Sequence, residues 1–107
     1  MYEIGMAKAI QIDENDNVAT VTSEVGRGEA VEVFSPAGKI LGVPVVSSDV
    51  PFGHKIALVG LEKGDEIVKY GEVIGFASEN ISLGAWVHTH NVESARVPTS
   101  KFGEYGP

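Results

Sequence analysis

An all-β fold of short strands, with at most one short helical turn, follows from three features of this sequence. Thirteen glycines and five prolines punctuate 107 residues, so uninterrupted runs are short. Those runs are rich in Val and Ile, and several alternate with period two, as half-buried strands do. No window of about 11 residues carries an apolar stripe of helical period free of Gly or Pro.

The elements follow in order. Met6–Ile12 and Val18–Thr22 alternate in part, with Asp13-Glu14-Asn15-Asp16-Asn17 as a polar turn between them. Ala30–Phe34 alternates more clearly. Ile40–Val46, Lys55–Val59, Glu66–Lys69, Val73–Ala77 and Ala85–His88 are further strand candidates, and Asp49–Gly53 is a candidate single helical turn. A spaced pattern ties several of these together. Val25-x-x-Gly28-x-x-Val31 recurs at Val50, Gly53 and Ile56, at Leu61, Gly64 and Ile67, and at Ile81, Gly84 and Val87. An apolar anchor, a glycine turn and a new strand would read this way. The spacing is common enough that it indicates repeated tight reversals rather than a sequence repeat. One domain over residues 1–98 and a C-terminal tail over 99–107, with no apolar period, complete the organisation.

Composition narrows the function. An apolar content of 43% supports a modest core, and a formal charge of −7 repels phosphate backbones, which argues against nucleic acid as the main partner. The same charge repels a free anionic substrate unless a local cationic site reverses the field. No apolar run reaches the roughly 18 residues of a membrane span, and the first residues lack the pattern of a signal peptide. Cysteine is absent, so disulfides and thiolate metal sites are excluded. A cytoplasmic protein with no membrane role is the expectation.

Three stretches carry possible chemistry. In Trp86-Val87-His88-Thr89-His90-Asn91, residues i and i+2 of an extended strand share a face about 7 Å apart, which would set two imidazoles side by side with Trp86. The pair could share a metal or bracket an anionic ligand; a solvated strand end is an equal reading. Zinc takes three or four protein ligands, and only Glu93 or His54 is available to add to the two. Asn91 could orient an imidazole through its amide. In Pro51-Phe52-Gly53-His54-Lys55, a glycine turn presents His54 as a proton donor and Lys55 as a point charge for an anion, or forms a plain β-turn. In Lys69-Tyr70-Gly71-Glu72, Lys69 and Glu72 could pair across a turn with Gly71 at positive φ, a structural role first. No phosphate-binding glycine motif is present, and Ser23, Ser47 and Ser48 lack the setting of a catalytic serine.

Three segments together carry a resemblance. They are Val50-Pro51-Phe52-Gly53-His54-Lys55-Ile56-Ala57-Leu58, Val68-Lys69-Tyr70-Gly71-Glu72-Val73-Ile74-Gly75 and Gly84-Ala85-Trp86-Val87-His88-Thr89-His90-Asn91. Their order and spacing resemble the SAF-type domain of altronate dehydratases and the separate small subunit of sulfolactate sulfo-lyase. The match is strong from Asp49 to Val92 and weaker over Met1–Ser48. Galactarate dehydratases share the glycine-histidine-lysine part but depart at the paired histidines.

The resemblance implies a β-clip fold and elimination of water, or sulfite, from a sugar acid or sulfonated hydroxy acid. It implies a small subunit acting with a separate large dehydratase subunit in a hetero-oligomer. It implies a divalent metal, iron or manganese, held mainly by that large subunit. On this reading His54, His88 and His90 are the catalytic candidates, His88 and His90 the candidate metal contacts, and Lys55, Lys69 and Asn91 the candidate substrate contacts. A non-catalytic SAF-type binding module for carbohydrate acids and a metal-storage or metal-sensing protein are the competing readings, the latter weakened by having two adjacent histidines and no cysteine.

Overall fold

A computed structural model describes residues 6–94. It contains nine strands and, among the described residues, no helix. They are β1 (Ala7–Ile10), β2 (Val18–Val21), β3 (Val31–Phe34), β4 (Ile40–Gly42), β5 (Lys55–Ala57), β6 (Glu66–Lys69), β7 (Glu72–Ala77), β8 (Trp86–Val87) and β9 (Val92–Ser94). One sheet has the order β4-β3-β1-β2-β5-β8, the other β6-β7-β9. The pairing of β1 with β3 is parallel; every other strand pair is antiparallel.

Alternation explains the core. Strands β2 and β5 are buried on both faces, because each separates two apolar clusters. Ala19, Val21 and Ile56 pack on one side with Ala9, Val25, Val31, Val33, Val46 and Val50. Val18 and Ala57 pack on the other with Leu61, Ile67, Ala77, Ile81 and Val87. Strand β8 divides its two residues in the same way: Trp86 lies against the first cluster and Val87 belongs to the second.

The spaced glycine pattern has a structural meaning. Val25 bridges Val50, and Leu61 bridges Ile81, each by two reciprocal backbone hydrogen bonds of 2.7–2.9 Å. After each anchor comes a turn closed by the fourth residue's N–H donating to the first residue's carbonyl: Glu29 to Gly26, His54 to Pro51, Asp65 to Glu62 and Ala85 to Ser82, all at 2.8–3.0 Å. The third residue of each is Gly28, Gly53, Gly64 or Gly84, with φ of 88°, 84°, 95° and 84°. These are marks of a type II turn, which needs glycine at that position. The two bridged pairs also share a staple: the Arg27 N–H donates to Asp49 Oδ1, and the Lys63 N–H to Asn80 Oδ1, both at 2.9 Å. The pattern is therefore a repeated piece of structure, used twice as a pair.

Several sequence expectations are corrected. Asp49–Gly53 forms no helical turn; its residues enter the Val25–Val50 bridge and the turn at Pro51. Ile40–Val46 contracts to β4 because Pro44 has no N–H for the ladder, and Val45 returns only as an isolated bridge to Ala30. Met6–Ile12 and Lys55–Val59 are likewise shorter than read. Val92–Ser94, unassigned from sequence, forms β9 against β7. That approach depends on Gly75, where a Cβ would stand 2.5 Å from the Glu93 carbonyl oxygen. The tail at 99–107 lies outside the described residues.

Candidate functional site

The site grows from the pairing of β5 with β8. The register sets Lys55 opposite Val87 and Ile56 opposite Trp86. One step beyond the ladder, the same antiparallel register brings His54 opposite His88, and their ring centroids are 4.4 Å apart. His54 is the last residue of the Pro51–His54 turn; His88 is the first residue after β8. The indole of Trp86 completes the group. It stacks on His88 with planes 9° apart and centroids at 5.5 Å, and its centroid lies 4.8 Å from that of His90. Its Nε1–H donates to His54 Nδ1 at 3.1 Å.

The two neighbouring histidines meet differently from the strand geometry read in the sequence. Strand β8 ends at Val87, and residues 88–91 form a turn in which the Asn91 N–H donates to the His88 carbonyl at 3.1 Å. His90 is exposed and His88 half-buried. The indole, not a shared strand face, holds both imidazoles in one group. Asn91 is the staple of this turn. Its Oδ1 accepts from the His88 N–H, its Nδ2 donates to the Trp86 carbonyl, both at 2.9 Å, and the residue is only 4% exposed. Asn91 thus uses both ends of its amide to hold the turn that carries His88 and His90.

The lysines approach from the other side of the sheet edge. Lys55 shares a cross-strand row with Thr20 and Val87. Thr20 Oγ1 is a buried hydroxyl oxygen with no hydrogen-bond partner among the described residues. Lys69, at the end of β6, is close enough to act on Lys55: partial burial first, then the Lys69 charge, holds the Lys55 ammonium below the usual lysine range. Lys69 forms no ion pair with Glu72 within 4 Å; its Nζ lies 4.9 Å from the Tyr70 ring centroid. Partial burial first, then the charges of His54, Lys55 and His90, likewise lowers the pKa of His88, which favours its neutral form.

Two residues that the sequence reading passed over as a polar turn bring Lys69 here. Asp16 is buried, and its carboxylate accepts from the N–H groups of Asp13 (3.0 Å), Tyr70 (3.1 Å) and Gly71 (2.8 Å). Asn17 donates through Nδ2 to the Glu66 carbonyl and accepts through Oδ1 from the Val68 N–H, both at 2.8 Å. Together they pin the β6–β7 hairpin, whose tip has Tyr70 and Gly71 at φ of 60° and 75°, onto the start of β2. An Asp-Asn pair before a strand is a turn signal in sequence; only the fold shows what it grips.

The result is a local grouping of His54, Lys55, Lys69, His88 and His90 on a chain of net charge −7. At short range the two lysine charges outweigh a diffuse negative surface and suit a carboxylate or sulfonate. Among the described residues no three His, Cys, Asp or Glu groups gather as ligands, and His54 Nδ1 already accepts from the indole. An apolar groove of about 450 Å³, lined by residues including Leu41, Val43, Pro44, Val59 and Leu83, contains none of the five basic groups.

Comparison with known proteins agrees with the resemblance seen in the sequence. The family model described as "Altronate/galactarate dehydratase SAF domain" matches residues 7–95, so the match takes in the first half of the chain as well as the second. Altronate dehydratase of Bacillus subtilis (strain 168) is 38% identical over 90 residues, which is 83% of this chain and 17% of that protein. Galactarate dehydratase (L-threo-forming) of Escherichia coli (strain K12) is 33% identical over 89 residues, 83% of this chain and 16% of that protein. The (2R)-sulfolactate sulfo-lyase subunit alpha of Paracoccus pantotrophus is 45% identical over 49 residues, 46% of this chain and 73% of that subunit. The chain spans about a sixth of the dehydratases it matches. With two all-β sheets and this match over most of its length, the chain belongs to the SAF-domain family of altronate and galactarate dehydratases.

Proposed function

We propose that this chain is the small, SAF-domain part of a hydro-lyase that dehydrates an altronate-like sugar acid together with a separate large catalytic subunit. The observation that carries the reading is the grouping of His54, His88 and His90 around Trp86, with Lys55 close enough to act on His88 and Lys69 close enough to act on Lys55. The grouping offers cations and imidazoles, which a cavity completed by a second polypeptide would set against an anionic substrate.

In the elimination a base removes the proton α to the carboxylate, electron density moves toward the β-carbon, and the β-hydroxyl leaves as water once protonated. Lys55 and Lys69 would meet the substrate carboxylate and offset the charge that develops there. His88, whose neutral form is favoured, is suited to take or pass a proton, and exposed His90 to reach the substrate from the partner's side. Asn91 keeps both imidazoles in place. A divalent metal such as iron or manganese belongs on this proposal to the large subunit. Purified chain should be inactive alone and gain dehydration of altronate when its large subunit is added. His88→Ala and His90→Ala should each lower turnover with assembly intact; full activity in both removes the catalytic assignment.

One observation favours a second reading. The sulfo-lyase alpha subunit is itself a small chain of which the match covers 73%, so a sulfolactate sulfo-lyase small subunit is the alternative. Release of sulfite from sulfolactate, against keto-acid formation from altronate, separates the two.

A further inference from the structure

The contact between Trp86 and His54 has a chemical consequence. An indole nitrogen only donates, so the 3.1 Å bond to Nδ1 requires a lone pair on that atom. A neutral imidazole then carries its proton on Nε2. The indole cannot easily turn away. Trp86 is paired with Ile56 in the sheet, half-buried against the first core cluster, and stacked on His88 across its face. No acceptor among the described residues takes the Nε2 proton of His54.

We infer that Trp86 is a positioning residue that fixes His54 as the Nε2–H tautomer and so presents His54 to the basic cluster as a hydrogen-bond donor, not as a base. The ligand it suits is an anionic or hydroxyl oxygen. That the oxygen belongs to a hydroxy acid undergoing elimination rests on the function proposed above; the tautomer does not. The assignment also divides labour among three similar side chains. His54 donates, and proton acceptance falls to His88 or His90, whose ring nitrogens the indole leaves free.

The test is long-range 1H–15N spectroscopy of the full chain at about pH 8, above the ordinary histidine range. His54 signals are assigned by comparison with His54→Gln. The expected result is a pyridine-type Nδ1 and a pyrrole-type Nε2 in the wild type, and a mixture of tautomers in Trp86→Phe, which keeps an aromatic ring and loses the N–H. A proton on Nδ1 in the wild type overturns the inference, as does a tautomer ratio unchanged by Trp86→Phe. With the large subunit added, Trp86→Phe should lower kcat about tenfold, the scale of one lost orienting hydrogen bond. His54→Gln, whose amide N–H stands in for Nε2–H, should keep more activity than His54→Ala; equal loss in both counts against the donor role. If the spectra behave as stated and the pair shows no elimination, the tautomer assignment stands and the proposed reaction falls.

Discussion

The turn Pro51–His54 and the turn Glu62–Asp65 have the same backbone and different employment. Both follow a bridged apolar anchor, both close through the fourth N–H, and both place glycine third, at φ of 84° and 95°. In the second turn Asp65 Oδ2 accepts from the Glu62 N–H at 2.8 Å, so the fourth side chain is consumed in holding the turn. Glu29 does the same for Gly26 in the turn at 26–29. In the first, the opening residue is proline, which has no N–H to satisfy. The fourth side chain is released from that duty, and it is His54, the one that meets Trp86 and His88. Proline at the opening of this turn leaves its last side chain available to the site.

Activity separates the two turns most sharply. His54→Ala should lower elimination by the reconstituted pair by roughly 100-fold, about 2.7 kcal/mol of barrier, with little change in urea midpoint. Asp65→Ala should do the reverse: activity retained, and about 1 kcal/mol of stability lost with its hydrogen bond. Loss of activity in both would show that the turns are not divided in this way.

Backbone substitutions should erase the difference. Gly53→Ala and Gly64→Ala each force a Cβ into the left-handed region, at about 1–2 kcal/mol, and neither position offers a steric clash to add to it. Near-equal losses in denaturant unfolding are expected. A loss confined to one turn would mean that the two are not equivalent in structure.

Exchange of side chains sharpens the comparison further. Pro51→Ala with His54→Asp converts the first turn to the chemistry of the second. The restored N–H gains a carboxylate acceptor while the unfolded chain regains the freedom proline denied it, so net stability should change by less than about 1 kcal/mol. Thermal unfolding would show a folded, inactive chain; an unfolded one would show that proline, not the released side chain, governs this turn.

The smallest effect is on pH. The lowered pKa of His88 means that the unfolded chain binds its proton first as pH falls. Its contribution to stability is therefore present above about pH 6.5 and is lost as pH falls through the folded value. His88→Gln should flatten that part of the stability profile between neutral and mildly acidic pH. In Lys55→Met, removal of one of the charges acting on His88 should raise its titration midpoint in NMR; no rise would separate the two groups.

Much of this fold was open to the sequence because it is written in local rules. Glycine at the third turn position and an apolar anchor three residues before it are requirements of each turn by itself, so the four turns were visible before their pairing was. The exceptions were equally physical. Strand β9 escaped because three residues, Val92-Glu93-Ser94, carry no period, and its place was set by a missing side chain at Gly75 on another strand. Asp49–Gly53 was misread because proline, turn and anchor overlap there.

The candidate site divides along the same line. Sequence alone determined which residues were eligible: three histidines, two lysines in matched segments, and a tryptophan between them. It could not say that His54 faces His88, because that follows from the register of two strands about thirty residues apart. Nor could it bring Lys69 to Lys55, since Asp16 and Asn17 do so across some fifty residues of chain. Backbone rules act between neighbours and can be read from neighbours. Charge coupling and ring contacts depend on distance through space, which only the folded chain supplies.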